Sequence, residues 1–468
     1  MMQAERMGQI RRIHCVGIGG TGMNGVAEVL HNLGYAVSGS DREASPTIER
    51  LIALGIPVTI GHRAETVAGA DVVVISSAIA PDNVELVAAH AQRIPVIPRA
   101  EMLAELMRFR YGVAVAGSHG KTTTTALIAS ILVEAGEDPT FVVGGRLNSV
   151  SANARLGGGR YLVAEADESD ASFLLYQPLL AVVTNIDRDH LGTYHGDFNR
   201  LCDAFHDFLH HLPFYGVAVL GLDDPEVSRL LPRVARPVVS YGFSRSVDVR
   251  AVEVTYEGLQ TRIRVARRDR ADAEFLVNLV GRHNASNALA AIAVAGVLQL
   301  PDLAVSRALA GFAGTGRRFQ FHGSGRFGLV EYLLVEDYAH HPREIEATLA
   351  AADLAWPTRR KVVVFQPHRY SRTFDLMDDF SRVLSHAMAL VLTEVYPAGE
   401  VPRPAADGRA LSRSVRARGQ VDPIFAEQIG DIPKILSNIV RPDDVVLLLG
   451  AGDWGRVIPE LLHRGGEP

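Results

Sequence analysis

Lys121 and the threonines after it are the residues whose types and spacing bear most directly on chemistry. They close the stretch VAVAGSHGKTTTTA, Val113 to Ala126, in which the apolar run Val113–Ala116 predicts a buried strand and the segment from about Thr122 a helix. Strand, glycine turn, Lys-Thr and helix is the layout of a phosphate-binding loop. Gly117 and Gly120 let the backbone turn tightly enough to aim successive N–H groups at an anion, with Ser118 and His119 between them. The helix start adds its positive dipole end. Lys121 would reach the terminal phosphates of a nucleoside triphosphate, and the Thr122 hydroxyl would ligate the accompanying magnesium. The usual pattern places four residues between its glycines; here there are two.

Further candidates follow this loop. Tyr161–Glu165 predicts a strand ending in a carboxylate, followed by Asp167, Glu168 and Asp170. Four acids within six positions repel one another, so the cluster reads either as a magnesium site or as a solvated acidic turn. A strand from Ala181 to Thr184 leads to Asp187, Asp189 and His190. Magnesium prefers oxygen, which leaves His190 either a ligand beside Glu165 or a structural histidine. The segment Gly281-Arg-His283-Asn284-Ala-Ser-Asn287 opens an alanine-rich helix whose asparagines could cap it or read an adenine edge. In Gly314–Phe319, read as a flexible loop, Arg317 and Arg318 suit a bidentate phosphate clamp.

Those elements sit in a chain with three predicted domains, 1–107, 108–321 and 322–468. In the first, Ile13–Val16 predicts a strand followed by Gly17, Gly19, Gly20 and Gly22, the GxGxxG turn, and a helix to about Leu33. A second strand ends in Ser40 and Asp41, nineteen residues after Gly22. On its own this pattern fits a site for an NAD-type dinucleotide, with Asp41 on a ribose. Asp71–Ile75 predicts another strand, ending in Ser76 and Ser77, which could bind a ligand or cap a helix. In the third domain, strands at Tyr332–Glu336, Lys361–Phe365, Leu390–Thr393 and Val445–Leu449 alternate with helices and predict another parallel α/β unit. Two of them run into Asp337-Tyr338-Ala339-His340-His341 and into His368-Arg369-Tyr370-Ser371-Arg372. At the carboxyl ends of strands these two clusters read as a pocket for a small anion such as an amino-acid carboxylate, the second alternatively as a surface helix start.

Composition narrows the class. A net charge of −6 over 468 residues gives no footprint for nucleic acid or an anionic membrane surface. Cys15 and Cys202 are too few and too far apart for a disulfide framework or a zinc site, as expected in a reducing cytoplasm. The charged start MMQAERMGQIRR has no signal-peptide core, and Ala285–Leu300 is too interrupted for a membrane span. A cytoplasmic protein without stable membrane insertion is expected. Only three lysines occur, Lys121, Lys361 and Lys434; a coding bias toward arginine explains this, and makes a retained lysine informative.

Taken in order, HCVGIGGTGMNGVAEVL, SGSD, SSAI, AGSHGKTTTT, AEADESDASF, TNIDRDHLGTYHGDF, LPFYG, GRHNASNA, GTGRRF, EDYAHHP, FQPHRYSRT and LTEVYPAGE resemble the Mur ligases of bacterial cell-wall synthesis over nearly the whole chain. The resemblance implies three α/β domains: a Rossmann-like N-terminal UDP-binding domain, a central P-loop-type ATPase domain and a Rossmann-like C-terminal domain. It implies that Gly17, Gly19, Gly20, Gly22, Ser40, Asp41, Ser76 and Ser77 hold a UDP-sugar rather than NAD. ATP would meet Gly117, Ser118, His119, Gly120, Lys121, Thr122 and Thr123, with His283, Asn284 and Asn287 at the adenine end and Arg317 and Arg318 closing over it. Thr122, Glu165 and His190 would hold two magnesium ions, for which manganese could substitute. Tyr338, His340, His368, Arg369 and Arg372 would form an alanine pocket, Arg372 foremost.

The reaction implied is ATP-driven amide formation between the lactyl carboxylate of UDP-N-acetylmuramate and L-alanine, through an acyl phosphate. His340 and His368 are the candidates for the general base, since histidine titrates near working pH. The expected assembly is a monomer or weak homodimer. Ser118 departs from the family's usual threonine. Ligases adding later residues use a carbamylated lysine near the second metal, and no lysine lies between Lys121 and Lys361. A ligase that joins a whole tripeptide to the same sugar is the near rival, against which HRYSRT argues; an oxidoreductase and a non-catalytic scaffold are the distant ones.

Overall fold

The computed structural model describes residues 7–20, 22–76, 78–148, 152–452 and 454–463. It divides into two compact units, one of Met1–Thr255, Arg262–Asn278 and Asn284–Ala313, the other of Tyr256–Thr261, Leu279–His283 and Gly314–Pro468.

In the first unit, β1 (Arg12–Val16), β2 (Ala36–Asp41), β3 (Val58–Ile60), β4 (Val72–Ile75) and β5 (Val96–Pro98) form a parallel sheet in the order β3-β2-β1-β4-β5. Strands such as VVVI are apolar on both faces, as parallel strands covered by helices must be. The strand order reverses between β1 and β4, and ligands of such sheets bind at the carboxyl ends of the strands flanking the reversal. Gly17 follows β1 there, and Ser76 follows β4.

The second sheet is built from β6 (Tyr111–Ala116), β7 (Thr140–Leu147), β8 (Ala152–Arg155), β9 (Tyr161–Glu165), β10 (Leu180–Val183), β11 (Val217–Gly221), β12 (Val238–Gly242), β13 (Val249–Glu257), β14 (Gln260–Arg267) and β15 (Arg270–Val277). Its order is β15-β14-β13-β12-β11-β10-β6-β9-β7-β8. β6 lies between parallel neighbours β10 and β9, so the phosphate-loop residues, the acids after β9 and the polar run after β10 emerge at one edge. Val113, Val163 and Val182 are wholly buried there, each contributing roughly 1.5–3 kcal/mol by leaving water. The helix Met23–Asn32 packs tightly on β8: a Cβ on Gly25 would stand 2.6 Å from that of Ala154. The edge strands β13–β15 alternate buried and exposed residues and carry no motif.

The second unit holds β16 (Gln320–Phe327), β17 (Val330–Asp337), β18 (Lys361–Phe365), β19 (Ala389–Thr393), β20 (Ile424–Ala426) and β21 (Val445–Leu449), in the order β16-β17-β21-β18-β19-β20. The expected all-parallel unit needs correction, because β16 pairs antiparallel with β17 through a hairpin at Gly328-Leu329. The expected domain boundary at 321/322 falls inside β16. Lys361 is structural: its ammonium is buried, 2.8 Å from Trp356 O and 2.6 Å from Asp353 Oδ1.

Candidate active site

Both glycines of the phosphate loop are enforced by close packing. Gly117 (φ 131) and Gly120 (φ 83) adopt conformations that other residues avoid. A Cβ on them would lie 2.0 Å from Thr184 Oγ1 and 2.4 Å from Asn287 Oδ1. The short turn between them is braced from the strand alongside. Ser118 N donates to Asn185 O at 3.0 Å and His119 N to Asn185 Oδ1 at 2.8 Å. His119 O accepts from Thr184 Oγ1 (2.7 Å) and Asn185 Nδ2 (2.9 Å). Ser118 Oγ accepts from Asp187 N at 2.8 Å, and the His119 ring lies 3.0 Å from Asp187 Oδ2.

Lys121 opens the helix Lys121–Glu134, and its ammonium is already engaged. Nζ donates to Gly117 O at 2.7 Å and lies 3.0 and 2.8 Å from the two carboxylate oxygens of Glu168. Burial opposes this charge, but Glu168, then Asp167 and Glu165, outweigh it and hold the ammonium above its ordinary range. Burial likewise opposes the charge on Asp167; Lys121, the Ser169 contacts and His190 prevail and hold that carboxyl below its ordinary range. These residues therefore form one electrostatic cluster. Its expected self-repulsion is relieved by separate local donors: Gly144 N to Glu165 (2.6 Å), Ser169 N to Asp167 (3.0 Å) and Ser172 N to Asp170 (3.0 Å). His190 sits at φ 55 with its ring 3.3 Å from Asp189 Oδ2. The Thr122 hydroxyl makes no hydrogen bond among the described residues. An uncommitted hydroxyl oxygen suits a hard divalent cation.

Asn284 and Asn287 are buried on the face of the helix Arg282–Val297, their amides 3.3 Å apart, and Thr124 Oγ1 lies 3.3 Å from Asn287 Oδ1. They tie that helix to the one carrying Lys121.

The glycine turn after β1 is held by acceptors, not by a lysine. Gly17 N and Ile18 N donate to Ser40 O at 2.8 and 3.0 Å, and Gly19 N donates to Asp41 Oδ2 at 2.8 Å. A Cβ on Gly20 would stand 3.2 Å from Gly17 O. Ser40 is a correction to the expected ligand set. Its side chain is wholly buried and donates to Glu85 Oε2 at 2.6 Å, so only its carbonyl serves the turn. Glu85 also accepts from Thr66 and lies 3.2 Å from His62 Nδ1 and 3.7 Å from His14 Nε2. Burial opposes its charge, yet the nearby His14 imidazole and the hydrogen bonds from Ser40 and Thr66 prevail and bring the carboxyl down to about 2. Ser76 is half-buried beside Gly17; Ser77 lies outside the described residues.

In the second unit the loop before β16 is tied down, contrary to the flexible clamp expected. Arg317 N donates to Gln320, Arg317 Nε to Glu336 Oε1 at 2.8 Å, and Arg317 Nη2 to Gly450 O and Gly452 O. Arg317 is thereby consumed within the fold. Among the described residues the Arg318 guanidinium has one ion pair, at 3.7 Å with Glu344, and retains donors for a phosphate. Both guanidiniums flank the Tyr338 ring, 4.9 and 5.0 Å from its centroid. Burial brings the His283 imidazole down to about 4, with Glu344 opposing, which leaves it neutral at pH 7. Burial raises Asp337 to about 6 against Arg318 and the N–H groups of Ala339 and Phe319.

Tyr338, His340, His368 and Arg372 come together. Tyr338 meets His340 at 5.1 Å, His340 meets His368 at 5.8 Å, and His368 stacks on Tyr396 at 5.5 Å. Arg372 is buried, with Nη1 3.3 Å from His368 Nδ1. An arginine only donates, so Nδ1 accepts and the His368 ring proton sits on Nε2. His340 Nδ1 faces the Tyr338 carbonyl at 3.0 Å; a carbonyl only accepts, so here the neutral ring carries its lone pair on Nε2. Arg369 does not join the cluster: it is exposed, at φ 70, with its charge acting on Glu400. Glu168, expected only as an acid of the possible magnesium cluster, is the partner of Lys121. Thr184, Asn185 and Tyr396 were left out of the expected site. They lie at or just beyond the carboxyl ends of predicted strands, and that position was the available signal.

Comparison with known proteins matches three consecutive domain families: "Mur ligase family, catalytic domain" over residues 12–111, "Mur ligase middle domain" over 115–295 and "Mur ligase, glutamate ligase domain" over 317–452. The chain belongs to the Mur ligase family. This Mur ligase is 59% identical over 465 residues, 99% of its length and 98% of the relative's, to the UDP-N-acetylmuramate–L-alanine ligase of Methylococcus capsulatus. It also resembles the crystal structure of the UDP-N-acetylmuramate–alanine ligase of Thermotoga maritima, with a TM-score of 0.81 and 29% identity over 96% of this chain and 98% of that one. Against the murein peptide ligase of Psychrobacter arcticus the TM-score is 0.72 at 25% identity, covering 98% and 100%. Mur ligases are ATP-dependent, which accords with a phosphate loop built around Lys121.

Proposed function

We propose that this Mur ligase joins L-alanine to the lactyl carboxylate of UDP-N-acetylmuramate, converting ATP to ADP and phosphate, as a step in peptidoglycan precursor synthesis. The observation that carries the reading is the 59% identity, along almost the entire chain, to a ligase of that name. The UDP-sugar is assigned to residues 1–107, ATP to 108–321 and the amino acid to 322–468.

The lactyl carboxylate attacks the γ-phosphorus, ADP leaves and an acyl phosphate forms. The neutral amine of alanine then attacks that carbonyl, and the tetrahedral intermediate expels phosphate. Lys121 leaves Glu168 to neutralise the transferring oxygens, which offsets the repulsion between two anions. Thr122, Glu165 and His190 would hold magnesium, which supplies further charge neutralisation at the phosphates. Asn284 and Asn287 read the adenine. His340 takes the ammonium proton at Nε2, the position its Nδ1 contact leaves basic; Nε2 of His368 already carries a proton. Arg372 binds the alanine carboxylate.

No helix among the described residues is long and apolar enough to cross a membrane, and both cysteines are free. Mass spectrometry of the product tests the reading: ATP, magnesium, UDP-N-acetylmuramate and L-alanine should yield UDP-N-acetylmuramoyl-L-alanine. Arg372→Ala should raise the KM for L-alanine by roughly tenfold or more with little change for ATP. Equal rises in both would remove Arg372 from the amino-acid pocket.

A further inference from the structure

Two neighbouring loops at the carboxyl end of the third sheet are held in conformations that their residues resist. β18 runs through Gln366–Arg369 into the short helix Tyr370–Asp375, which carries Arg372; β19, beside it, runs into Glu394–Glu400. Arg369, the residue before that helix, sits at φ 70 and ψ 131, outside the regions that residues with side chains ordinarily occupy. In the facing loop Glu400 N donates to Pro397 O at 2.9 Å, closing a tight turn with Ala398 at φ 48 and Gly399 at φ 87. Such backbone persists only where the surrounding contacts impose it.

Those contacts run between the two loops. Tyr396 N donates to Pro367 O at 2.8 Å and Arg369 N to Tyr396 O at 2.9 Å, which continues the pairing of β18 and β19 past the sheet and lays the Tyr396 ring flat on His368. Glu400 takes hold two residues further on. Its Oε2 accepts from Ser371 N at 2.9 Å and its Oε1 from Ser371 Oγ at 2.6 Å. Burial opposes the charge on Glu400; the Ser371 hydroxyl and N–H, with the Arg369 charge, prevail and hold the carboxyl below its ordinary range. Directly after Ser371, Arg372 turns back on His368, with Nη1 3.3 Å from Nδ1 and 3.4 Å from the carbonyl. The strained Arg369 thus lies between the two pocket residues His368 and Arg372, with Tyr396 fixing the chain on one side of it and Glu400 on the other.

We infer that Glu400 is a positioning residue for the amino-acid pocket: through Ser371 it imposes the turn at Arg369 that sets Arg372 against His368, where Arg372 can meet the carboxylate of alanine. The inference rests on the assignment of Arg372 to that pocket. A carboxylate suits the role because its two oxygens accept the N–H and the O–H of one residue at once.

Steady-state kinetics on Glu400→Ala, Arg372→Ala and the double variant test this as a cycle. Glu400→Ala should raise the KM for L-alanine by roughly tenfold, with those for ATP and UDP-N-acetylmuramate nearly unchanged. Glu400→Gln, which keeps one oxygen for Ser371, should recover part of the loss. In the Arg372→Ala background Glu400→Ala should have almost no further effect, because the group it positions is gone. A parental KM for L-alanine in Glu400→Ala, equal rises for all three substrates, or effects that add in the double variant would each overturn the inference. If Arg372→Ala alone leaves the KM for L-alanine unchanged, the pocket assignment itself fails, and that single variant shows it with Glu400 intact. Should Glu400→Ala not fold, Ser371→Ala runs the same cycle from the other side of the contact, with a smaller rise and the same non-additivity expected.

Discussion

The phosphate loop at Gly117–Lys121 and the glycine turn at Gly17–Gly22 share one backbone plan: a buried parallel strand, a glycine turn and a helix. Their supports differ in sign and in permanence. The phosphate loop contains a lysine whose ammonium is held by Glu168, a contact that a triphosphate must break or share. The N-terminal turn contains no lysine and is fixed from beneath, by Ser40 O and Asp41, with Glu85 anchoring Ser40 in turn. A turn that positions a ligand can be rigid before the ligand arrives. A turn that takes part in phosphoryl transfer needs a charge that changes partners, and a buried ion pair with a second acceptor nearby is such a device. Backbone geometry therefore marks both as anion sites, and the side chains separate binding from chemistry.

The sharpest way to break this comparison is Lys121→Ala. Turnover should fall by roughly 10²–10³-fold or more, as for loss of a transition-state charge donor, while calorimetry should find UDP-N-acetylmuramate affinity nearly unchanged. Coupled loss of both would show that the two turns do not divide the work. Next in size is the support under the N-terminal turn. Glu85 falls from the ordinary 4.5 to about 2 on folding, so it contributes stability above pH 4.5 that is lost as pH falls toward 2. The shift corresponds to about 3 kcal/mol. Glu85→Gln should accordingly lower stability to denaturant at pH 7, with the deficit narrowing below pH 4.5; a deficit independent of pH would contradict the ionised-carboxylate account. The smallest effects should come from the glycines, where a side chain at positive φ costs about 1–2 kcal/mol. Gly120→Ala should raise the KM for ATP alone, and Gly22→Ala the KM for the UDP-sugar alone. A crossed pattern would exchange the ligand assignments.

Much of this frame was legible in the chain. β9, β18 and β21 occupy the predicted residues, because an apolar run that ends abruptly in glycine, acid or histidine marks a buried strand and its functional end at once. Partners distant in sequence were not legible. Nothing local to Ser40 shows that its hydroxyl turns inward to Glu85, forty-five residues away, rather than outward to a ligand. Nothing local to Glu168 separates a metal-site acid from the partner of Lys121. Arg317 and Arg318 look equivalent in sequence, yet one is spent on Glu336 and backbone carbonyls and the other is not. The antiparallel β16 was hidden because QFHGSGRF is interrupted by two glycines and has little apolar signature.

The most direct test of the account is phosphate release from ATP and magnesium with UDP-N-acetylmuramate, each protein amino acid being added singly and a tripeptide acceptor in parallel. Release that depends on L-alanine is the predicted result and would fix the reaction and its acceptor together. Release with the tripeptide alone, or none from folded protein with any acceptor, would contradict it.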